Sequence, residues 1–291
     1  MNAHKIMGNK KESEKVMLEH LKLFVDEYCT AKDNPGIHEN TFQKMMDLKT
    51  NEVYCPKCRL ETRNTKVSID ETKASDQWKD KEKKKYLKKY SIYGGRSFLD
   101  KGFKGFGANS KQELEACDKA KAISIDIASG QIANVLLTGP AGTGKSHIAH
   151  SMLFNINEMS ASYKKQLTCL FIDFTSVMEL IIASYSNTAT DKKTADYYID
   201  LMKNADVLVL DDLGTDVGTT STTKQASEHT YKTLFKIINA REGTKSTIIS
   251  TNLSYDQLKA AYDSRISSRL SMNLKILDFS EINDKRPGFG F

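Results

Sequence analysis

The sequence lacks any run of roughly 18 apolar residues, so no segment is expected to cross a membrane as a helix. Its start, Met1–Lys15, is polar and lysine-rich without an apolar stretch, and a secretory leader is not expected. Cysteine is scarce, at five in 291 residues. In a cytoplasmic protein, the compartment these absences favour, those thiols stay reduced and serve metal binding or packing rather than disulfides. Internal repeats are missing, and one lysine-rich segment is the only biased tract. Basic charge is in surplus, at 43 Lys and Arg against 37 Asp and Glu, a net +6 that favours a polyanionic partner.

Two regions differ in pattern. In the first, Val16, Met17, Leu21, Phe24, Val25 and Tyr28 recur at three- and four-residue steps and predict a helix over 14–28. Asn34-Pro35-Gly36 breaks it, and a second short helix is expected over 41–48. Lys79–Lys89 then holds seven lysines, with Trp78, Tyr86, Leu87 and Tyr90 interspersed. That mixture suits either a solvated connector or contact with single-stranded nucleic acid, where lysines meet phosphate and aromatic rings stack on bases. Five glycines between Tyr93 and Ala108 mark a linker, 91–108, with Phe98, Phe103 and Phe106 docking on the main domain. The boundaries expected are therefore 1–90, 91–108 and 109–291.

From Lys111 onward, short apolar runs alternate with helix-length segments. The runs are Asn134–Thr138, Leu167–Phe174, Val207–Leu213, Ser246–Thr251 and Leu274–Phe279. This alternation predicts an α/β domain with a parallel sheet buried between helices.

The first run leads into Gly139-Pro140-Ala141-Gly142-Thr143-Gly144-Lys145-Ser146, and a helix-compatible stretch opens at His147. A strand, this G-x-x-x-x-G-K-[ST] loop and a helix form a phosphate cradle. Backbone N–H groups and the helix dipole face the anion, Lys145 reaches the β and γ phosphates, and Ser146 holds Mg²⁺. ATP and Mg²⁺ are the ligands expected. Val207–Leu210 ends in Asp211-Asp212, and ligands sit at the carboxyl ends of strands in such sheets. Asp211 is expected to hold Mg²⁺ and Asp212 to polarise the attacking water. Asn252, after the next strand, either orients that water or caps the adjoining helix. Arg265 and Arg269 share a helix face, either as solvated surface or as a source of charge for a neighbouring subunit's phosphoryl transfer. Thr219–Lys224 offers a hydroxyl-rich loop suited to backbone contact with DNA. Cys117 and Cys169 fall in an amphipathic helix and an apolar strand and are expected in the core.

Gly139–Ser146, Val207–Asp212, Ser250–Asn252 and Arg265–Arg269 together resemble the AAA+ ATPases, most closely the DnaC/DnaI type of replicative helicase loader within the IstB-like ATP-binding group. Leu210-Asp211-Asp212-Leu213-Gly214 and Ser250-Thr251-Asn252-Leu253 carry the narrower likeness, which covers residues 98–282. The resemblance implies a P-loop AAA+ domain behind a small, mainly helical, helicase-binding N-terminal domain. It implies that Lys145, Asp211, Asp212 and Asn252 serve catalysis, with Arg269 as the finger, and that Gly139–His147 binds nucleotide. The chain ends soon after its last strand, so no helical lid and no second sensor arginine are expected. A ring helicase, single-stranded DNA and other copies of the ATPase domain are the implied partners; a transposition-helper ATPase is the alternative. Some loaders of this type carry zinc. Here Cys55-Pro56-Lys57-Cys58 forms a two-thiolate knuckle, and Cys29 and His38 could complete four ligands. The competing reading leaves the knuckle without metal and Cys29 packed under the first helix.

Overall fold

The computed structural model describes residues 23–30, 32–34, 37, 39–96, 102–163, 165–185, 193–215 and 226–285. By contacts the chain divides into two compact units, Met1–Gln77 and Trp78–Phe291.

In the first unit, β1 (Leu23–Cys29) pairs antiparallel with β2 (Phe42–Met46), which pairs with β3 (Val53–Tyr54). The helix predicted over 14–28 is thus a strand in its described part, and the one predicted over 41–48 is a strand over Phe42–Met46. Leu23–Cys29 is too short for periodicity to decide between a helix face and a strand. Pairing with β2 settles the matter. The helix α1 (Pro56–Tyr90) begins in this unit and is its longest element. The described side chains from Leu60 to Lys79 are exposed, the apolar Leu60, Val67, Ile69 and Trp78 among them. Met17, Leu21, His38, Phe98 and Thr219–Lys224 lie outside the described residues.

The second unit follows the predicted alternation. Its elements are α2 (Lys111–Ala128), β4 (Asn134–Thr138), α3 (Lys145–Tyr163), β5 (Cys169–Asp173), α4 (Phe174–Ala183), α5 (Ala195–Asn204), β6 (Val207–Leu213), α6 (Glu228–Arg241), β7 (Ser246–Thr251), α7 (Tyr255–Leu270) and β8 (Leu274–Asp278). The strands form a parallel sheet ordered β5-β6-β7-β4-β8. Side chains alternate between its faces, and both faces are covered. Leu136, Leu170, Ile172, Leu208, Leu210 and Ile249 pack in one core. Val135, Leu137, Phe171, Val209, Ile248 and Leu277 pack in the other, with Cys117 and Cys169 among them. Burial on both faces explains why the strands read as near-continuous apolar runs.

Helix starts are fixed locally. Ser110 caps α2 in a reciprocal box with Glu113, and Ser254 caps α7 with Gln257. The segment read as a linker is in part joined to the sheet. The Ile92 N–H donates to the Phe171 carbonyl (2.8 Å), and the Asp173 N–H donates to the Ile92 carbonyl (2.7 Å). Ile92 therefore continues the parallel pattern beyond β5.

Candidate functional site

The loop between β4 and α3 turns through glycines. At Gly144 φ is +91°, a region L side chains rarely enter, and a Cβ there would stand 2.5 Å from the Phe106 ring. Lys145 opens α3 with its amine turned inward. It donates to the carbonyls of Gly139 (2.8 Å) and Pro140 (2.6 Å) and to Asn252 Oδ1 (2.9 Å). Burial pulls its pKa down, against the charges of Asp212 and Asp211. Thr143 Oγ1 donates to the Pro140 carbonyl (3.0 Å), and the Gly142 carbonyl accepts from Lys285 N–H (3.0 Å). Ala141 is exposed at the tip. His147 lies beside the Phe106 ring, with centroids 5.7 Å apart, and burial holds its pKa down. The first turn of α3 contains no acidic residue.

Because β7 lies between β4 and β6, its tip separates the loop from the acidic pair. Asn252 thereby touches Lys145 on one side, while Ser250 serves the acids on the other. The β6–β7 register slips between Leu210 and Leu213, where one extra β6 residue makes a bulge, and Asp212 takes a φ of +55°. Two β7 hydroxyls hold it through three hydrogen bonds. Ser250 Oγ donates to Asp211 Oδ1 and accepts the Asp212 N–H (3.0 Å), and Thr251 Oγ1 donates to the Leu213 carbonyl (2.7 Å). Asp211 is fully buried. Burial, with Asp212's charge, pushes its pKa up to about 6, outweighing the hydrogen bonds from Ser250 and Ser146 and the Arg96 charge.

Asp173, at the tip of β5 opposite Asp211, joins Asp211 and Asp212 in a cluster with ligand oxygens within 4.8 Å of one another. Ser146 Oγ reaches the same place, since it and Asp211 accept from one guanidinium nitrogen of Arg96, at 3.2 and 2.5 Å. Hard oxygen donors gathered beside a phosphate-type loop fit Mg²⁺. Asp173 and Arg96 escaped the sequence reading, and Ser250 entered it only as part of the Ser250–Asn252 motif, without a role. Asp173 ends an apolar strand as Asp211 does, which was the available signal; Arg96 lay hidden in a glycine-rich stretch.

Arg269 stands elsewhere. Its Nε meets Asn239 Oδ1 (2.9 Å) and Glu242 Oε2 (3.3 Å), its guanidinium lies over Phe235, and Nη1 donates to the Arg265 carbonyl. None of these partners belongs to the loop or the acidic cluster. Lys79–Lys89 lies on α1, where Lys81, Lys84, Lys85 and Lys88 line a groove of about 1000 Å³ together with Tyr93 and Phe154.

In the first unit the knuckle and Cys29 do meet. The sulfurs of Cys29, Cys55 and Cys58 lie within 4.8 Å of one another, and Cys29 Sγ is 3.8 Å from Cys58 Sγ. Thiolates 2.3 Å from a tetrahedral ion stand about 3.8 Å apart, so the cluster is compatible with zinc. None of the three is in a disulfide. Burial and the two neighbouring sulfurs push the Cys58 thiol up to about 12.

A parallel sheet with a phosphate loop on one strand, an acid pair on another and a polar strand tip between them defines a P-loop ATP-binding domain of the AAA+ class. The chain belongs to the IstB-like ATP binding protein family, whose pattern matches residues 109–274. It is 24% identical over 172 residues to "Uncharacterized protein YdaV" of Escherichia coli strain K12, covering 59% of this chain and 62% of that protein. With "Replicative helicase loader DnaC" of the same strain it shares 22% over 171 residues, 58% and 62% of the two chains. The chain thus spans less than two thirds of these curated relatives. Its fold is similar to the crystal structures of the DnaC helicase loader (TM-score 0.50, 20% identity, 64% of this chain and 98% of that one) and of DnaI (0.51, 17%, 70% and 99%). Among the described residues, no helix is long and apolar enough to cross a membrane.

Proposed function

We propose that this protein is an ATP hydrolase that loads a replicative ring helicase onto single-stranded DNA. The observation that carries the reading is the convergence of Lys145, Ser146, Asp211, Asp212 and Asn252 in a domain homologous to a helicase loader. Lys145 holds the β and γ phosphates, with the N–H groups of Gly139–His147 around them. Ser146 and Asp211 hold Mg²⁺, which when bound neutralises charge on the phosphate oxygens. Asp212, the more exposed acid, accepts a proton from the attacking water, and Asn252 orients that water. Arg269 acts on a neighbouring copy's nucleotide; its partners on α6 leave it outside its own cluster, as action between subunits requires.

The first unit is the helicase-binding part; Cys29, Cys55 and Cys58 would hold zinc there, with His38, outside the described residues, expected from the sequence as the fourth ligand. The exposed Phe24 and Tyr28 of β1 support a docking role. The lysine-lined groove supports contact with a DNA backbone. Self-association through the ATPase units arranges copies around the strand, and hydrolysis releases them.

A transposition-helper reading draws on the IstB-like family match. Affinity capture with ATP separates the two. Retention of the ring helicase supports the loader; retention of a transposase with no helicase overturns it.

A further inference from the structure

Arg96 makes contacts that the phosphate-loop chemistry does not call for. Its Nη1 donates to Ser146 Oγ (3.2 Å) and to Asp211 Oδ2 (2.5 Å), its Nη2 donates to Asp212 Oδ2, and Asp173 Oδ2 stands 3.8 Å from Nη2. One guanidinium thus reaches the hydroxyl and every carboxylate of the cluster. The backbone delivers it there. Ile92 is pinned to β5 by two hydrogen bonds, and the Tyr93 ring stacks on Phe171 with centroids 5.1 Å apart. A tight turn comes next, closed by Arg96 N–H to the Tyr93 carbonyl (3.0 Å), with Gly94 and Gly95 at φ +59° and +76°. Both central residues are left-handed, the conformation glycine takes most readily. At Gly94 a Cβ would lie 2.6 Å from Asp173 Cγ, so a larger residue could not bring the chain this close to the acids.

We infer that Arg96 is the resident counter-cation of the magnesium site, exchanging with the ion as nucleotide binds and leaves. The inference rests on the reading of Ser146 and Asp211 as Mg²⁺ ligands. Three carboxylates packed together repel one another, and burial sharpens that repulsion. A fixed guanidinium, forked to fit carboxylates, offsets it. Mg²⁺ needs the same oxygens, and two cations crowded onto them repel one another, so the ion enters as Arg96 withdraws. A withdrawal route exists, because the Arg96 side chain is 39% exposed and also lines the lysine groove. Asp211, at 0%, has none. The arginine is therefore the member that moves, and the sheet-bound acids stay in place.

Manganese(II) alone, without nucleotide, is the probe, with free ion counted by its paramagnetic resonance signal. Arg96→Ala should bind Mn²⁺ roughly tenfold more tightly than the parent, the scale of one half-exposed charge-assisted contact. Arg96→Lys should fall between, and Asp211→Asn in the Arg96→Ala background should abolish the gain. Equal affinity in the parent and Arg96→Ala overturns the inference. A second readout uses the parent alone: phenylglyoxal labelling of Arg96, followed by mass spectrometry, should rise several-fold at saturating Mn²⁺. Unchanged labelling also overturns it. Neither readout needs turnover or a helicase, so a failed helicase capture would sink the loader reading while leaving these outcomes to stand or fall alone.

Discussion

Replacing Lys145 with alanine removes an ammonium whose present contacts set the size of the expected effect. The amine makes three hydrogen bonds, to two loop carbonyls and to Asn252, at 2.6–2.9 Å in a buried position. Reaching the β and γ phosphates means trading neutral acceptors for anionic oxygens. Bonds between charged partners are worth about 1.5–3 kcal/mol each, neutral ones about 1. Two phosphate contacts then gain roughly 3–6 kcal/mol, and the neutral contacts given up return part of that. With two neutral contacts given up for them, the net loss in Lys145→Ala is roughly 1–4 kcal/mol, a weakening of ATP binding of about 5- to 900-fold. Titration of a fluorescent ATP analogue in Mg²⁺ measures it, with circular dichroism confirming an unchanged fold. A dissociation constant close to the parent's, on a folded variant, would refute the assignment of this loop as the phosphate site.

Other outcomes rest on the same geometry. Arg269→Ala should bind ATP normally yet hydrolyse about a thousandfold more slowly, and mixing it with Lys145→Ala should restore turnover, since each supplies what the other lacks; no recovery on mixing removes Arg269 from the site. With Asp211 raised to about 6, Mg²⁺-dependent nucleotide affinity should fall as pH drops through 6, because the neutral acid no longer attracts the ion. In ligand-free protein the sign reverses: the folded state keeps a proton that the unfolded chain loses at the ordinary carboxylate pKa, so this group's contribution to stability declines as pH rises from about 4 to 6. Urea melts across that window test it, with Asp211→Asn as the flat control. Arg241, buried and bonded to the carbonyls of Met202, Ala205 and Ser246, should lose about 3–5 kcal/mol on change to Met, read as a lower urea midpoint. Cys58→Ser should reduce zinc from one ion per chain to none by elemental analysis; zinc-free parent protein ends that proposal.

The sheet was readable because burial on both faces makes each strand a short apolar run between helices. The strands Asn134–Thr138, Val207–Leu213 and Ser246–Thr251 came out at their observed ends. Neither β1 nor β2 was readable, for a matching reason. Their residues are mostly exposed or half-buried, so pairing rather than a buried face holds them, and pairing leaves no periodic mark on one strand alone. The phosphate loop was legible because its chemistry is local. Contiguous residues carry the glycines, the lysine and the hydroxyl.

The acidic half of the site obeys a different rule. Asp211 and Asp212 were visible as a strand end, but what aims them is the bulge, and the bulge depends on Ser250 and Thr251 across the ladder. Asp173 and Arg96 enter from one strand and one turn beyond. The bonded pieces lie 38 to 116 residues apart and meet because parallel strands all end at one edge. Such an edge collects like charges as readily as useful ones, and three carboxylates gathered there need a cation whatever the ligand state. A glycine pair before an arginine reads as a linker in one dimension. Set beside a strand tip crowded with acids, it is a geometry that brings a positive charge close without adding bulk, and it gives the otherwise unexplained glycines Gly94 and Gly95 a physical reason to be there.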